Sequence, residues 1–137
     1  MKLDLHTHSA ASDGVLAPAA LLARAVAAGV ELFSITDHDS LAAYDALDVA
    51  SLGRMRLVPG IELTAQWRGQ VVHVLGYGFD AAGGALRAGV AAQRRRREER
   101  AVALGERLAH KGIENTFEAA RALAGDGSIG RPHFARH

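Results

Sequence analysis

Cysteine is absent from this 137-residue chain. Disulfides, thiolate metal sites and a cysteine nucleophile are excluded, so any bound metal must rely on imidazole and carboxylate. Aromatic residues are scarce, at 5% against 49% apolar overall, and the core must come mainly from Leu, Val, Ile and Ala. No run approaches the roughly 18 apolar residues of a membrane span. The N-terminus shows no apolar segment followed by a small-residue cleavage site. These features predict a cytoplasmic protein without membrane partners. The net charge of +1 is too small for a general nucleic-acid binder or an acidic tail. There is no Gly-x-Ser-x-Gly elbow for a serine nucleophile and no Gly-x-x-x-x-Gly-Lys-Ser/Thr phosphate loop. No internal repeat or low-complexity linker divides the chain, and its length fits one domain.

What is present begins at once. Leu3 and Leu5 alternate with Asp4 and His6 in a strand-like pattern that ends in the pair His6 and His8. Residues i and i+2 of a strand share a face, so two imidazoles can chelate one ion. A small polar loop from Ser9 to Gly14 follows and carries Asp13. Helical spacing of Leu21, Leu22, Ala25 and Val26 predicts a helix from Leu16 to Ala28. Val30 to Thr36 reads as a short strand running into Asp37-His38-Asp39. A second helix is expected from Leu41 to Leu52, a third strand from Met55 to Pro59, then an apolar segment with Glu62 and a strand from Val71 to Tyr77 with His73. Alternation of this kind implies a parallel sheet with helices outside it. Sites in such folds gather at strand C-terminal ends, where His6, His8, His38 and Glu62 fall.

The second half is helical. Ala82 to Lys111 reads as a long stretch interrupted by Gly89 and Gly105, followed by a short helix from Phe117 to Leu123. The run Arg94 to Arg97 spans all sides of a helix, so most of it is expected to be solvated, with i,i+4 partners in Glu98 and Glu99. One or two of these arginines remain to lean over a site and attract phosphate. The chain stops at His137, just after Arg131-Pro132-His133, where proline opens a helix. That pattern is expected of a piece of a longer protein.

His6, His8, Asp13, His38, Glu62 and His73 form a donor set for a hard or borderline divalent cation such as Zn, Mn or Fe. A catalytic ion takes about three protein ligands and keeps a position open. Six donors, including a carboxylate able to bridge, therefore suggest two or three ions. Clustered ions make hydroxide at neutral pH and clamp the oxygens of an in-line displacement, which suits phosphoester hydrolysis without a protein nucleophile.

His6-Thr7-His8-Ser9, Asp13-Gly14, Ile35-Thr36-Asp37-His38-Asp39, Pro59-Gly60-Ile61-Glu62 and His73-Val74-Leu75-Gly76-Tyr77 occur in that order. The set resembles the polymerase and histidinol phosphatase (PHP) superfamily, and within it the small stand-alone metal-dependent phosphoesterases. Gly130-Arg131-Pro132-His133-Phe134-Ala135 resembles a motif of the same subgroup. The resemblance implies a distorted (β/α)7 barrel, of which residues 1–137 are the N-terminal portion. Residues 1–80 would be the metal-binding core and residues 81–137 a helical, substrate-side insertion. It implies that His6, His8 and Glu62 hold one ion, that Glu62 bridges to a second bound by His73, and that Asp13 and His38 hold a third. Arg131 and His133 would contact the substrate phosphate, with His133 a candidate acid for the leaving group. Asp37 has no ligand role to inherit and is expected to orient an imidazole. Family members are about twice this length, and further ligands from a C-terminal part complete their site. The implied substrate is a small nucleotide: a nucleoside 3',5'-bisphosphate or a short oligonucleotide. A histidinol-phosphate-type phosphatase or a polymerase-associated exonuclease module is the alternative within the fold. An arginine-rich nucleic-acid-binding module with a vestigial site is the alternative outside it.

Overall fold

The computed structural model describes residues 1–47 and 52–137. Strands β1 (Leu3–Asp4), β2 (Leu32–Phe33) and β3 (Arg56–Leu57) form a parallel sheet in that order. Leu3 pairs with Leu32, and Leu32 with Arg56. Strands β4 (Gly60–Trp67) and β5 (Gln70–Tyr77) form an antiparallel hairpin. The expected parallel alternation therefore holds for the first three strands and gives way to a hairpin at the Arg68-Gly69 turn. Arg68 and Gly69 both adopt positive φ there, 48° and 79°, as a two-residue turn between twisted antiparallel strands requires.

The regular ladders are shorter than the apolar runs that announce them. β1 ends at Asp4, so His6 and His8 do not sit on a strand as expected. They lie on its extension, which still follows the neighbouring segment: Thr36 N donates to Thr7 O at 2.8 Å and Thr7 Oγ1 to Ser34 O at 2.8 Å. Beyond β2 an isolated parallel bridge pairs His38 with Glu62. Asp39 N donates to Glu62 O at 3.0 Å. This bridge ties the end of the parallel sheet to the hairpin and sets two candidate ligands side by side.

Helix α1 (Pro18–Ala27) opens on a proline, whose missing N–H costs nothing in the first turn. It buries Leu22 and Ala25 against Val30, Phe33, Ile35 and Met55. Each large side chain so buried contributes about 1.5–3 kcal/mol. Helix α2 (Ala42–Ala46) starts within the expected second helix, of which residues 48–51 lie outside the described residues. Helix α3 (Gly84–Ala109) is continuous for 26 residues, without the interruptions expected at Gly89 and Gly105. Gly105 is there for closeness: a Cβ would meet Phe117 Cβ at 2.7 Å, so glycine lets helix α4 (Thr116–Ala124) dock. Ala101, Ala120, Ala124 and Ile129 form a separate small core between α3, α4 and α5 (Arg131–Arg136).

Candidate metal centre

Four imidazoles converge on one carboxylate. Glu62 is 7% exposed at the start of β4. Its Oε2 lies 2.9 Å from His6 Nε2, 3.2 Å from His8 Nε2 and 3.9 Å from His38 Nδ1. Its Oε1 lies 3.3 Å from His73 Nδ1. Asp13 closes the other side, with Oδ1 3.4 Å from His8 Nδ1 and Oδ2 3.6 Å from His38 Nε2. The structure thus brings all six sequence-predicted donors together. His73 reaches the cluster from the middle of β5, opposite Thr64 in the hairpin register.

The donors form three overlapping trios: His6, His8 and Glu62; His8, Asp13 and His38; His38, Glu62 and His73. Within each trio the candidate ligand atoms lie within 4.8 Å of one another. Two of the trios are wider than the resemblance implied. His8 joins Asp13 and His38, and His38 joins Glu62 and His73. Neighbouring rings lie close, with centroids 4.8 Å apart for the tilted pair His8–His38 and for the edge-on pair His38–His73. Buried Nδ1 atoms of His8 and His38 have no hydrogen-bond partner. An orphaned buried ring nitrogen is costly unless something outside the protein satisfies it. Burial also lowers the His38 pKa, against the pull of Asp13 and Glu62. A ring that resists protonation keeps its lone pair free for a metal. On donor type, spacing and unsatisfied nitrogens, the residues fit a divalent cation cluster.

The loop carrying His8 and Asp13 is fixed by backbone as much as by side chains. Gly14 packs so tightly on it that a Cβ would fall 2.1 Å from His8 O. Gly14 N also donates to Ser9 O at 3.0 Å. Asp37, 1% exposed, accepts from Ser9 N at 2.7 Å, Ser9 Oγ at 2.6 Å and Ser12 Oγ at 2.6 Å. It holds the loop between two donors; among the described residues it forms no hydrogen bond to an imidazole, contrary to the sequence expectation. Burial lifts its carboxyl above the ordinary range, although Ser12 and Ser9 oppose the rise. The loop is also fastened from the far end of the chain, by Ser128 N to Ala11 O at 2.9 Å and Arg136 Nη2 to Asp13 O at 3.0 Å.

Asp39 was not singled out by the sequence. It is fully buried and takes a positive φ of 47°. Thr64 N and Thr64 Oγ1 donate to it at 2.8 and 2.6 Å, and Arg97 Nη2 at 2.8 Å. Burial pushes its carboxyl up, but the Thr64 hydrogen bonds and the Arg97 charge outweigh this and hold it below the ordinary value. Tyr44 is a second such residue. Its hydroxyl donates to Ile35 O at 2.6 Å and accepts from Gly60 N at 2.8 Å, locking β2's extension to the start of β4. The four arginines divide as helix phase dictates. Arg95 and Arg96 are exposed, Arg94 caps Asp126 O, and Arg97 turns inward. Glu98 pairs with Arg121 of α4 at 2.8 Å, across helices and not along α3 as expected.

Arg131 and His133 separate. Arg131 is exposed and lines a cavity of ≈ 360 Å3 beside the cluster, together with Asp13, His38, His73 and Arg97. His133 is 1% exposed and is not among the residues lining that cavity. Gly130 N donates to its Nδ1 at 3.0 Å. Gly130 O lies 3.3 Å from the same atom, so Nδ1 faces both a donor and an acceptor. Burial holds the ring pKa below its ordinary value, which favours the neutral form.

No family model matches the chain. A 5'-3' exoribonuclease of Haemophilus influenzae is 41% identical over 99% of the chain and 50% of its own length. A 3',5'-nucleoside bisphosphate phosphatase of Chromobacterium violaceum is 38% identical over 98% of the chain and 48% of its own length. Among solved structures, an amidohydrolase from Chromobacterium violaceum, bound to sulfate and without metal, superposes with a TM-score of 0.91 at 37% identity, covering 100% of this chain and 49% of that one. The chain spans about half the length of the curated relatives it matches. No described helix is long and apolar enough to cross a membrane. With six predicted donors gathered at one site and this homology over the whole chain, the 137 residues are similar throughout to the N-terminal half of PHP-type phosphoesterases.

Proposed function

We propose that the chain forms the metal-binding half of a phosphoesterase that hydrolyses small nucleotides: nucleoside 3',5'-bisphosphates or the ends of short oligonucleotides. The observation that carries this reading is the convergence of His6, His8, His38 and His73 on Glu62, with buried ring nitrogens left unpartnered. Imidazoles gathered around one carboxylate are hard to explain as packing and natural as ligands. The substrate class is supported by the names of the relatives, an exoribonuclease and a bisphosphate phosphatase. A segment outside these residues completes the ligand set and closes the (β/α)7 barrel.

His6, His8 and Glu62 would hold one divalent ion, Glu62 with His73 a second, and Asp13 with His38 a third; Mn, Zn and Fe all suit the donor set. When bound, such ions supply an activated water and neutralise phosphoryl oxygens. Arg131 binds the substrate phosphate through a charge-assisted, fork-shaped contact. His133, buried and off the cavity wall, braces the Gly130 turn that presents Arg131. Asp37 keeps the 9–14 loop in place so that His8 and Asp13 face the cluster together. Arg97, committed to Asp39, adds positive potential at the cavity wall without being released to the substrate.

Phosphate release from adenosine 3',5'-bisphosphate by the complete protein, loaded with Mn and then stripped by chelator, tests the reading. Activity should disappear on chelation, return with Mn and fall at least a thousandfold in Glu62→Ala. Undiminished turnover in Glu62→Ala and His8→Ala would falsify it.

A further inference from the structure

A second cavity, of ≈ 300 Å3, lies along α3 next to the one already described. His73, Arg97 and Arg131 line both, so the two cavities adjoin. Its chemistry differs from the first. The floor is apolar, built from Val71, Leu104, Ile129 and Phe134. The rim is cationic, with Arg100 and Arg107 projecting from the same stripe of α3 that carries Ala101 and Leu104. Positions 97, 100, 104 and 107 recur at steps of three and four, which puts them on one face of the helix.

These cations are not neutralised. Arg87, Arg97 and Arg121 each have a carboxylate partner. Among the described residues Arg100, Arg107 and Arg131 have none, although all three line one cavity. Burial and the neighbouring charges of Arg97 and Arg96 disfavour the charged form of Arg100, with Asp39 and Glu99 opposing them. Three guanidinium groups around one cavity repel each other unless an anion sits among them. Arg presents a planar fork that matches phosphate. An apolar floor with one phenyl ring suits the flat body of a nucleobase, which stacks without regard to sequence.

We propose that this second cavity is a subsite for the part of the substrate beyond the scissile bond. Arg100 and Arg107 bind a second phosphate, and the nucleoside that carries it rests on Leu104 and Phe134. The inference rests on the phosphoesterase reading and deepens it. The site selects substrates with two phosphates joined through a nucleoside over simple monoesters. The second phosphate comes either from a nucleoside bisphosphate or from the backbone of an oligonucleotide.

The test uses the complete, Mn-loaded protein and the variants Arg100→Gln, Arg107→Gln and the pair together. Arg95→Gln, which removes the same charge from the solvent side of α3, is the control. The quantity read is the ratio of kcat/KM for adenosine 3',5'-bisphosphate to that for p-nitrophenyl phosphate, and the same ratio for a 5'-phosphorylated dinucleotide. In the double variant at least one ratio falls tenfold or more, and Arg100→Lys/Arg107→Lys recovers part of the loss. The arm that falls further identifies the source of the second phosphate. Ratios that stay within twofold in both arms, or that fall equally in Arg95→Gln, overturn the subsite. Calorimetric binding of adenosine 3',5'-bisphosphate to metal-free protein keeps the two readings separable. If no phosphate is released from any substrate, the phosphoesterase reading fails. The subsite then stands on a tenfold weaker Kd in the double variant and falls if Kd is unchanged.

Discussion

Asp37 and Asp39 stand one residue either side of His38, both buried, and the protein treats them oppositely. Asp37 is met by two serine hydroxyls and one amide; Asp39 is met by Thr64 and by the guanidinium of Arg97. Burial dominates the first carboxyl and lifts its pKa. At the second, Thr64 and Arg97 overcome burial and depress it. One tripeptide thus carries two kinds of fastening. The Asp37 side ties the loop of the candidate ligands His8 and Asp13 with hydrogen bonds from neutral groups. The Asp39 side ties helix α3 to the hairpin with an ion pair. Burial alone does not fix the state of a carboxylate; what the neighbouring elements bring to it does.

The largest expected effect breaks the ionic side. Arg97→Met leaves the Asp39 carboxylate buried without a counter-charge and should cost about 3–5 kcal/mol of stability, whereas Arg97→Met/Asp39→Asn should cost clearly less than the single variants summed. Denaturant unfolding of the four proteins closes that cycle, and additive losses would contradict the pairing. On the neutral side, Asp37→Asn should weaken Mn binding about tenfold, because it loosens the loop between His8 and Asp13. Isothermal titration with Mn measures this; an unaltered affinity separates the loop from the ligands.

The same Asp37→Asn change should cost about 1 kcal/mol in metal-free protein, since an amide oxygen still accepts from Ser9 or Ser12. The sharpest contrast is in the pH dependence of metal-free protein. A raised folded pKa means that the Asp37 contribution is fully present below its unfolded value, about 3.9, and is lost as pH rises through the folded value. The depressed Asp39 works the other way: its contribution is present above about pH 3.9 and is lost as pH falls through the folded value. The cost of Asp37→Asn should therefore shrink from acid to neutral pH while that of Asp39→Asn grows. Parallel slopes would show that the two carboxyls are not distinguished.

His6, His8, His38 and Glu62 were legible because residue type, order and the position of strand ends converge on them; Asp13, in a loop, and His73, in the middle of β5, were legible only in company with those four. The first three strands and α1 were legible from alternation and helical spacing. Other features depend on partners that a linear pattern does not reveal. Gly105 reads as a helix break, yet it is the contact point for Phe117. Arg97 is indistinguishable in sequence from Arg94, Arg95 and Arg96 until α3 docks and its phase is set. Tyr44 gives no signal at all; only its hydroxyl, caught between Ile35 and Gly60, shows what it does. The antiparallel hairpin hid behind an apolar run that suits either pairing, with the Arg68-Gly69 turn as the one clue.

The clasp between residues 128–136 and the 9–14 loop has a temporal consequence. Arg136 reaches Asp13 across 123 positions of sequence. Loop closure over such a distance is entropically slow to reward, so contacts of this kind form late. During synthesis His8 and Asp13 emerge well before Ser128 and Arg136, and their loop acquires this brace only after those residues have followed. The nascent chain therefore displays these candidate donors before the clasp from residues 128–136 can brace them.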